Sequence, residues 1–185
     1  MNNQINNNMI NSRKKPPRCI LDIESNSFKP YEPHSRLICI GIMDVTSDET
    51  KVFQDNNEKA MITNFFTYFN KKQFCQIIGY NVSFDIQFLF SRCLYFQISN
   101  KRFFTTPTYD IMWILKNVKG KNGYNHCGSL NDWCKVILGK EKTFQNTEIA
   151  DLYKKGLITE IVNYNKRDLE LEAELLHRIE HVLKS

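Results

Sequence analysis

No stretch of the chain approaches the roughly 20 consecutive apolar residues that a bilayer-spanning helix needs. The N-terminal MNNQINNNMINSRKK also lacks the apolar core of a signal peptide. The sequence therefore reads as a non-secreted protein without a membrane segment. It contains no CxxC pair: Cys19, Cys39, Cys75, Cys93, Cys127 and Cys134 are scattered through mostly apolar segments. That pattern speaks against a zinc or disulfide framework and fits buried free thiols in a reducing, intracellular compartment. GxGxxG, Walker and GxSxG signatures are all missing and there are only four histidines. Dinucleotide, P-loop and serine-triad chemistries therefore lack their sequence marks.

What is present suffices for one core. The 185 residues are 42% hydrophobic and 24% charged, within the range of one folded domain. The net charge of +5 is unevenly placed, because residues 1–18 hold Arg13, Lys14, Lys15 and Arg18 and no acid. Residues 1–17, Asn-rich and then basic, read as a disordered, solvated tail, with a phosphate-binding arm as the alternative. Residues 18–185 read as the folded domain.

Within it, the apolar runs at 18–25 and 37–45 and the segment 50–54 predict three strands in a meander. Met61, Ile62, Phe65, Phe66 and Phe69 recur at three and four, predicting a helix over 58–69. QIIGYN (76–81) predicts another strand, followed by a helix capped by Ser83. Further helices are expected after Asp110, at 129–138, near 149–156, and from Leu157 to the end. Strands first, then strands interleaved with helices, indicate an α/β fold of three layers with a mixed central sheet.

Carboxylates occupy positions where burial makes them costly. Asp22 and Glu24 lie at i and i+2 of an apolar strand, so their side chains share one face, roughly 6.6 Å apart along the strand. Unpaired, two such acids oppose each other's ionisation, and they call for cationic partners or a metal ion. Asp85 opens a helix after a strand, where capping is an equally good explanation. Asp168 falls near the centre of the apolar stripe of the C-terminal helix, with Tyr164 one turn before it. Glu172 lies near the same stripe and leaves open that the stripe is simply interrupted there. Hard oxygen ligands of this kind suit Mg²⁺ or Mn²⁺, and an ion pair roughly 3.5 to 4 Å apart serves in-line phosphoryl displacement by water.

The ordered set Asp22-x-Glu24, Asn81-x-x-Phe84-Asp85 and Tyr164-x-x-x-Asp168 resembles the three motifs of the DEDD exonuclease superfamily. IIGYNVSFDIQFL and TEIVNYNKRDLELEAELLHRI look most like the proofreading domain of family-B DNA polymerases and its stand-alone relatives. The resemblance spans about residues 18–183. It implies a ribonuclease-H-like fold with about five strands and 3′-5′ exonuclease activity on single-stranded DNA or RNA, releasing nucleoside 5′-monophosphates. It further implies two divalent ions, Mg²⁺ or Mn²⁺. Asp22, Glu24 and Asp168 would hold the ion that binds the nucleophilic water, Asp22 would bridge to the second, and Asp85 would serve that second ion. Tyr164 would orient the water, and Asn163, at the position of the sister subgroup's histidine, favours the tyrosine (DEDDy) subgroup. Asn81 and Phe84 are the candidate substrate contacts. A non-catalytic nucleic-acid-binding or scaffold module of the same fold is the alternative function.

Other features carry less. Tyr80, Phe88, Phe103 and Phe104 could stack on bases but suit a core better. His177 and His181 read as solvent-facing, Asp110 and Asp151 as helix-capping, and the loop 119–123 as a basic backbone contact.

Overall fold

Alternation within RCILDIES separates the two sides of the protein. In a computed structural model, which describes residues 16–117, 128–142 and 148–184, this segment is strand β1 (Arg18–Ser25). Cys19, Leu21 and Ile23 enter one apolar core and Ile20 another. Asp22 and Glu24 share the parity of Ile20, so they stand on its face of the sheet.

β1 pairs antiparallel with β2 (Leu37–Asp44), and β2 pairs antiparallel with β3 (Glu49–Gln54). On its other edge β1 pairs parallel with β4 (Gln76–Gly79), which pairs parallel with β5 (Thr108–Asp110). The order β3-β2-β1-β4-β5 puts β1 at the centre of a mixed five-stranded sheet. Every residue of β2 is buried, which requires cover on both faces.

One face is covered by α1 (Glu58–Lys72), α2 (Val82–Phe96) and α3 (Lys101–Thr105). The Asn57 side chain caps α1 by accepting from the Ala60 N–H at 3.1 Å. The aromatic residues Phe65, Phe69, Phe74, Phe88 and Phe103 fill this core. A buried ion pair ties it together: Arg92 of α2 donates twice to Glu58 of α1, at 2.7 and 2.8 Å, and Glu58 also accepts from the Leu37 N–H at 2.9 Å. The opposite face carries α4 (Ile111–Asn117), α5 (Leu130–Leu138), α6 (Ile149–Lys154) and the long α7 (Ile158–Lys184).

The architecture is the α/β arrangement that the sequence pattern implies, with differences in detail. β4 ends at Gly79, and α2 begins at Val82 with Asn81 at its N-cap position in the left-handed region (φ 60°, ψ 37°). Ser83 therefore lies in the first turn and does not cap the helix. β5 and α3, three and five residues long, are too short to show a period. Cys19, Cys39, Cys93 and Cys134 are free and buried, whereas Cys75 is free and exposed. Residues 1–15 of the tail, Cys127 and the loop 119–123 lie outside the described residues. The Pro17 carbonyl accepts from the Cys75 N–H at 2.9 Å, so contact with the domain extends past the boundary drawn at residue 18.

α7 comes close to the sheet where β2 has no side chain. Gly41 is paired with Asp22 in the β1–β2 register. A Cβ there would stand 2.0 Å from Asn165 Oδ1 and 2.8 Å from Leu169 Cδ1. Gly41→Ala is therefore expected to destabilise the domain by about 1–3 kcal/mol through overpacking, measured by urea unfolding. An unchanged midpoint would show that α7 yields here at no cost.

Candidate active site

Three elements converge on one cleft of about 570 Å³. β1 supplies Asp22 and Glu24 from the face under α7. The first turn of α2 supplies Asp85, whose Oδ1 accepts from the Ile23 N–H of β1 at 3.0 Å. α7 supplies Asp168 and Glu172, four residues apart on one side of the helix, while Tyr164 and Asn165 of the preceding turn are buried next to them and do not line the cleft. Carboxylate oxygens of Asp22, Glu24 and Asp168, one from each, lie within 4.8 Å of one another. Tyr164 is buried beside Asp168 and interacts with its carboxylate. Asp85 and Glu172 line the same cleft outside that three-oxygen group.

Two residues hold the cluster in register. Asn165, wholly buried, donates from Nδ2 to Asp22 Oδ2 at 2.6 Å and to the Asp22 carbonyl at 3.2 Å, pinning α7 to β1. Lys142 places its ammonium 2.5 Å from Asp168 Oδ2, with both side chains nearly inaccessible, and 5.1 Å from the centre of the Tyr164 ring. The donor set fits a hard dication: clustered carboxylate oxygens, a cation already drawn among them, and two buried oxygens, Asp168 Oδ1 and Glu172 Oε2, without a hydrogen-bond partner among the described residues.

The rim is aromatic and polar. Phe84 lines the cleft, its ring 6.4 Å from that of Phe28, which is 61% exposed. The Tyr80 hydroxyl donates to the Gly128 carbonyl. The exposed Asn81 donates its N–H to Asp110 Oδ1 at 3.0 Å, and the same oxygen accepts from the Trp113 N–H at 3.3 Å. Asp110 thus caps α4, as its position suggests, and also fixes the Asn81 turn.

The structure brings Asp22, Glu24, Asp85 and Asp168 into one cleft lined also by Asn81 and Phe84, whereas Tyr164 is buried beside Asp168 in the apolar cluster of Ile38, Cys39, Ile149 and Ile161 and does not line the cleft. Phe88 and Phe103 are core residues, and His177 and His181 are exposed and away from the cleft. Lys142, Asn165 and Phe28 carried no sequence signal: two lie in irregular segments, and Asn165 looks like any polar helical residue. Glu172 carried an ambiguous one, a place near the apolar stripe that fits burial and an interruption of the stripe alike.

A family model described as "Predicted 3′-5′ exonuclease related to the exonuclease domain of PolB" matches residues 26–173. The match begins two residues after Glu24. An uncharacterised protein of Methanocaldococcus jannaschii is 31% identical over 169 residues, which are 85% of this chain and 92% of the relative. Among solved structures, the family B DNA polymerase from the hyperthermophilic archaeon Pyrobaculum calidifontis superposes with a TM-score of 0.71 at 12% identity, over 89% of this chain. This chain spans 24% of the polymerase, and the likeness is one of fold.

Crowding of acids sets the electrostatics. Loss of water around Asp22, then the charge of Asp168, push its carboxyl up to about 8 against the opposing effects of Lys142 and Asn165. Desolvation likewise raises Glu24, Asp85, Asp168 and Glu172, and burial followed by Asp168 raises the Tyr164 phenol, which stays protonated at neutral pH. Between the ordinary carboxylate range and about pH 8, folded Asp22 holds a proton that the unfolded chain has lost. Stability therefore falls as pH rises through that window. In EDTA, Asp22→Asn is expected to be more stable than the parent, with a melting-temperature gap that widens from pH 5 to pH 8. A gap that stays flat would show that Asp22 is not shielded from water.

Proposed function

Because the chain belongs to the family of predicted 3′-5′ exonucleases related to the exonuclease domain of PolB, we propose that it hydrolyses single-stranded DNA or RNA from the 3′ end, releasing nucleoside 5′-monophosphates. The observation that carries this reading is the trio of carboxylate oxygens of Asp22, Glu24 and Asp168 within 4.8 Å, with Tyr164 buried against Asp168. Such clustering disfavours a purely nucleic-acid-binding role, which needs positive charge.

Each group then has a task. Asp22, Glu24 and Asp168 would hold one divalent ion, and Asp22 and Asp85 are the residues that would serve a second. The chemistry that Mg²⁺ or Mn²⁺ would supply there is Lewis-acid activation of water and neutralisation of charge on the leaving oxygen. The Tyr164 hydroxyl, kept neutral, holds the attacking water in line with the scissile phosphate, in keeping with the DEDDy subgroup. Asn165 keeps Asp22 in place through its paired hydrogen bonds. Phe84 and Phe28 offer ring faces to the terminal bases at the cleft's edge, a contact worth ~1–3 kcal/mol per base. Asn81 stands beside them, its main chain fixed by Asp110.

End-labelled single strands tested with Mg²⁺ and with Mn²⁺ decide the reading. The parent is expected to give a ladder shortening from the 3′ end, and Asp168→Asn none while remaining folded. Tyr164→Phe is expected to lower kcat by on the order of 10² to 10⁴ with Mn²⁺ affinity unchanged. Phe28→Ala is expected to raise KM about tenfold with kcat retained, as for one lost stacking contact. Internal cuts, or an Asp168→Asn variant within tenfold of the parent, would refute the assignment.

A further inference from the structure

We propose that Lys142 is a displaceable counter-cation of the carboxylate cluster: its ammonium and a divalent ion compete for Asp168, and Glu172 receives the ammonium when the ion binds. The inference rests on the metal-dependent reading above. Its first ground is position. Lys142 Nζ lies 2.5 Å from Asp168 Oδ2, within the group formed with Asp22 and Glu24. An ion coordinating that carboxylate sits roughly 2 Å from its oxygen, and two cations so close on one carboxylate repel strongly in a site with little water.

The second ground is how the lysine is tethered. Its main chain is held independently of the ammonium, the N–H donating to Asn131 Oδ1 of α5 at 2.9 Å. The four-carbon stem can therefore swing while the backbone stays in place, and a lysine ammonium, unlike a guanidinium fork, can re-aim its three donors. The third is a destination. Glu172 follows Asp168 by four residues on the same side of α7, a rise of roughly 6 Å. It is 2% exposed, lines the same cleft, and its Oε2 has no hydrogen-bond partner among the described residues.

Charge balance joins the two residues. Asp22, Glu24, Asp85, Asp168 and Glu172, when ionised, carry five negative charges, and Lys142 carries one positive charge. Two divalent ions neutralise the remaining four only if the lysine stays in the cleft. Glu172 thus provides a buried carboxyl group to receive an ammonium that has given up Asp168. The arrangement holds the cluster together without an ion and sets a threshold of ion concentration for loading.

Mn²⁺ titration of the full chain by calorimetry tests this with Lys142→Met, Glu172→Gln, the double variant, and Lys140→Met. Lys140 pairs with Glu174 away from the cleft and controls for loss of one positive charge. Lys142→Met is expected to tighten one Mn²⁺ on the order of tenfold, the effect of removing one competing charge-assisted hydrogen bond. Lys140→Met is expected to change affinity less than twofold. Glu172→Gln is expected to weaken binding several-fold in the parent but hardly at all beside Lys142→Met. Lys142→Gln serves if the methionine variant does not fold. Unchanged or weaker binding in the Lys142 variants, or equal tightening by Lys140→Met, overturns the competition. Equal weakening by Glu172→Gln in both backgrounds overturns the relocation, since Glu172 would then act on the ion directly. A parent that binds no Mn²⁺ refutes the metal-dependent reading itself; two ions with affinity unmoved by Lys142→Met refute only the inference.

Discussion

The cleft depends on the close passage of α7 over the β1–β2 pair, which the missing side chain at Gly41 permits. Through that gap Asn165 reaches both the side chain and the carbonyl of Asp22, at 2.6 and 3.2 Å. The contact fixes the rotation of the helix. Tyr164, Asp168 and Glu172, set by helical spacing relative to Asn165, then point at the two acids of β1 without further adjustment. A helix displaced outward by one methyl group would keep most of its apolar contacts and lose the alignment of the acids.

That alignment conflicts with stability. Five acids line one cleft with one lysine ammonium, and desolvation raises the pKa of each carboxyl. The scaffold resists the repulsion with contacts made elsewhere. The Glu58–Arg92 pair locks α1 to α2 and to the start of β2, and an aromatic core fills the opposite face of the sheet. Locally, the Ile23 N–H, Asn165 and Lys142 each satisfy one acid oxygen. Destabilised charge held by a rigid surround is a common condition of functional sites.

Much of this was legible from residue order. The parity of Asp22 and Glu24, the inward aim of Asp168 and the neighbouring Tyr164 follow from the periods of strand and helix. So does the division of β1 into two faces, because apolar residues hold the other positions. Short elements were not legible: β5 and α3 have too few residues for a period, and the start of α2 depends on the left-handed Asn81, whose N–H is held by Asp110 from 29 residues away. Ser83 resembled a cap because the local pattern contains no information about that long-range bond.

The sequence by itself determined that Asp22 and Glu24 share one face of a strand and that Asp168 lies on the apolar stripe of the last helix, since these are consequences of local periodicity. Only the tertiary structure decided which groups meet them. Lys142 comes from an irregular segment and Phe28 from a loop, and no period constrains either. Asn165 is an ordinary helical residue until Gly41 lets it reach Asp22. Glu172 is ambiguous on its stripe until packing surrounds it with acids. Contacts between residues far apart in the chain depend on how layers stack, and that information resides in the complementarity of surfaces and not in the spacing of residues along any one of them.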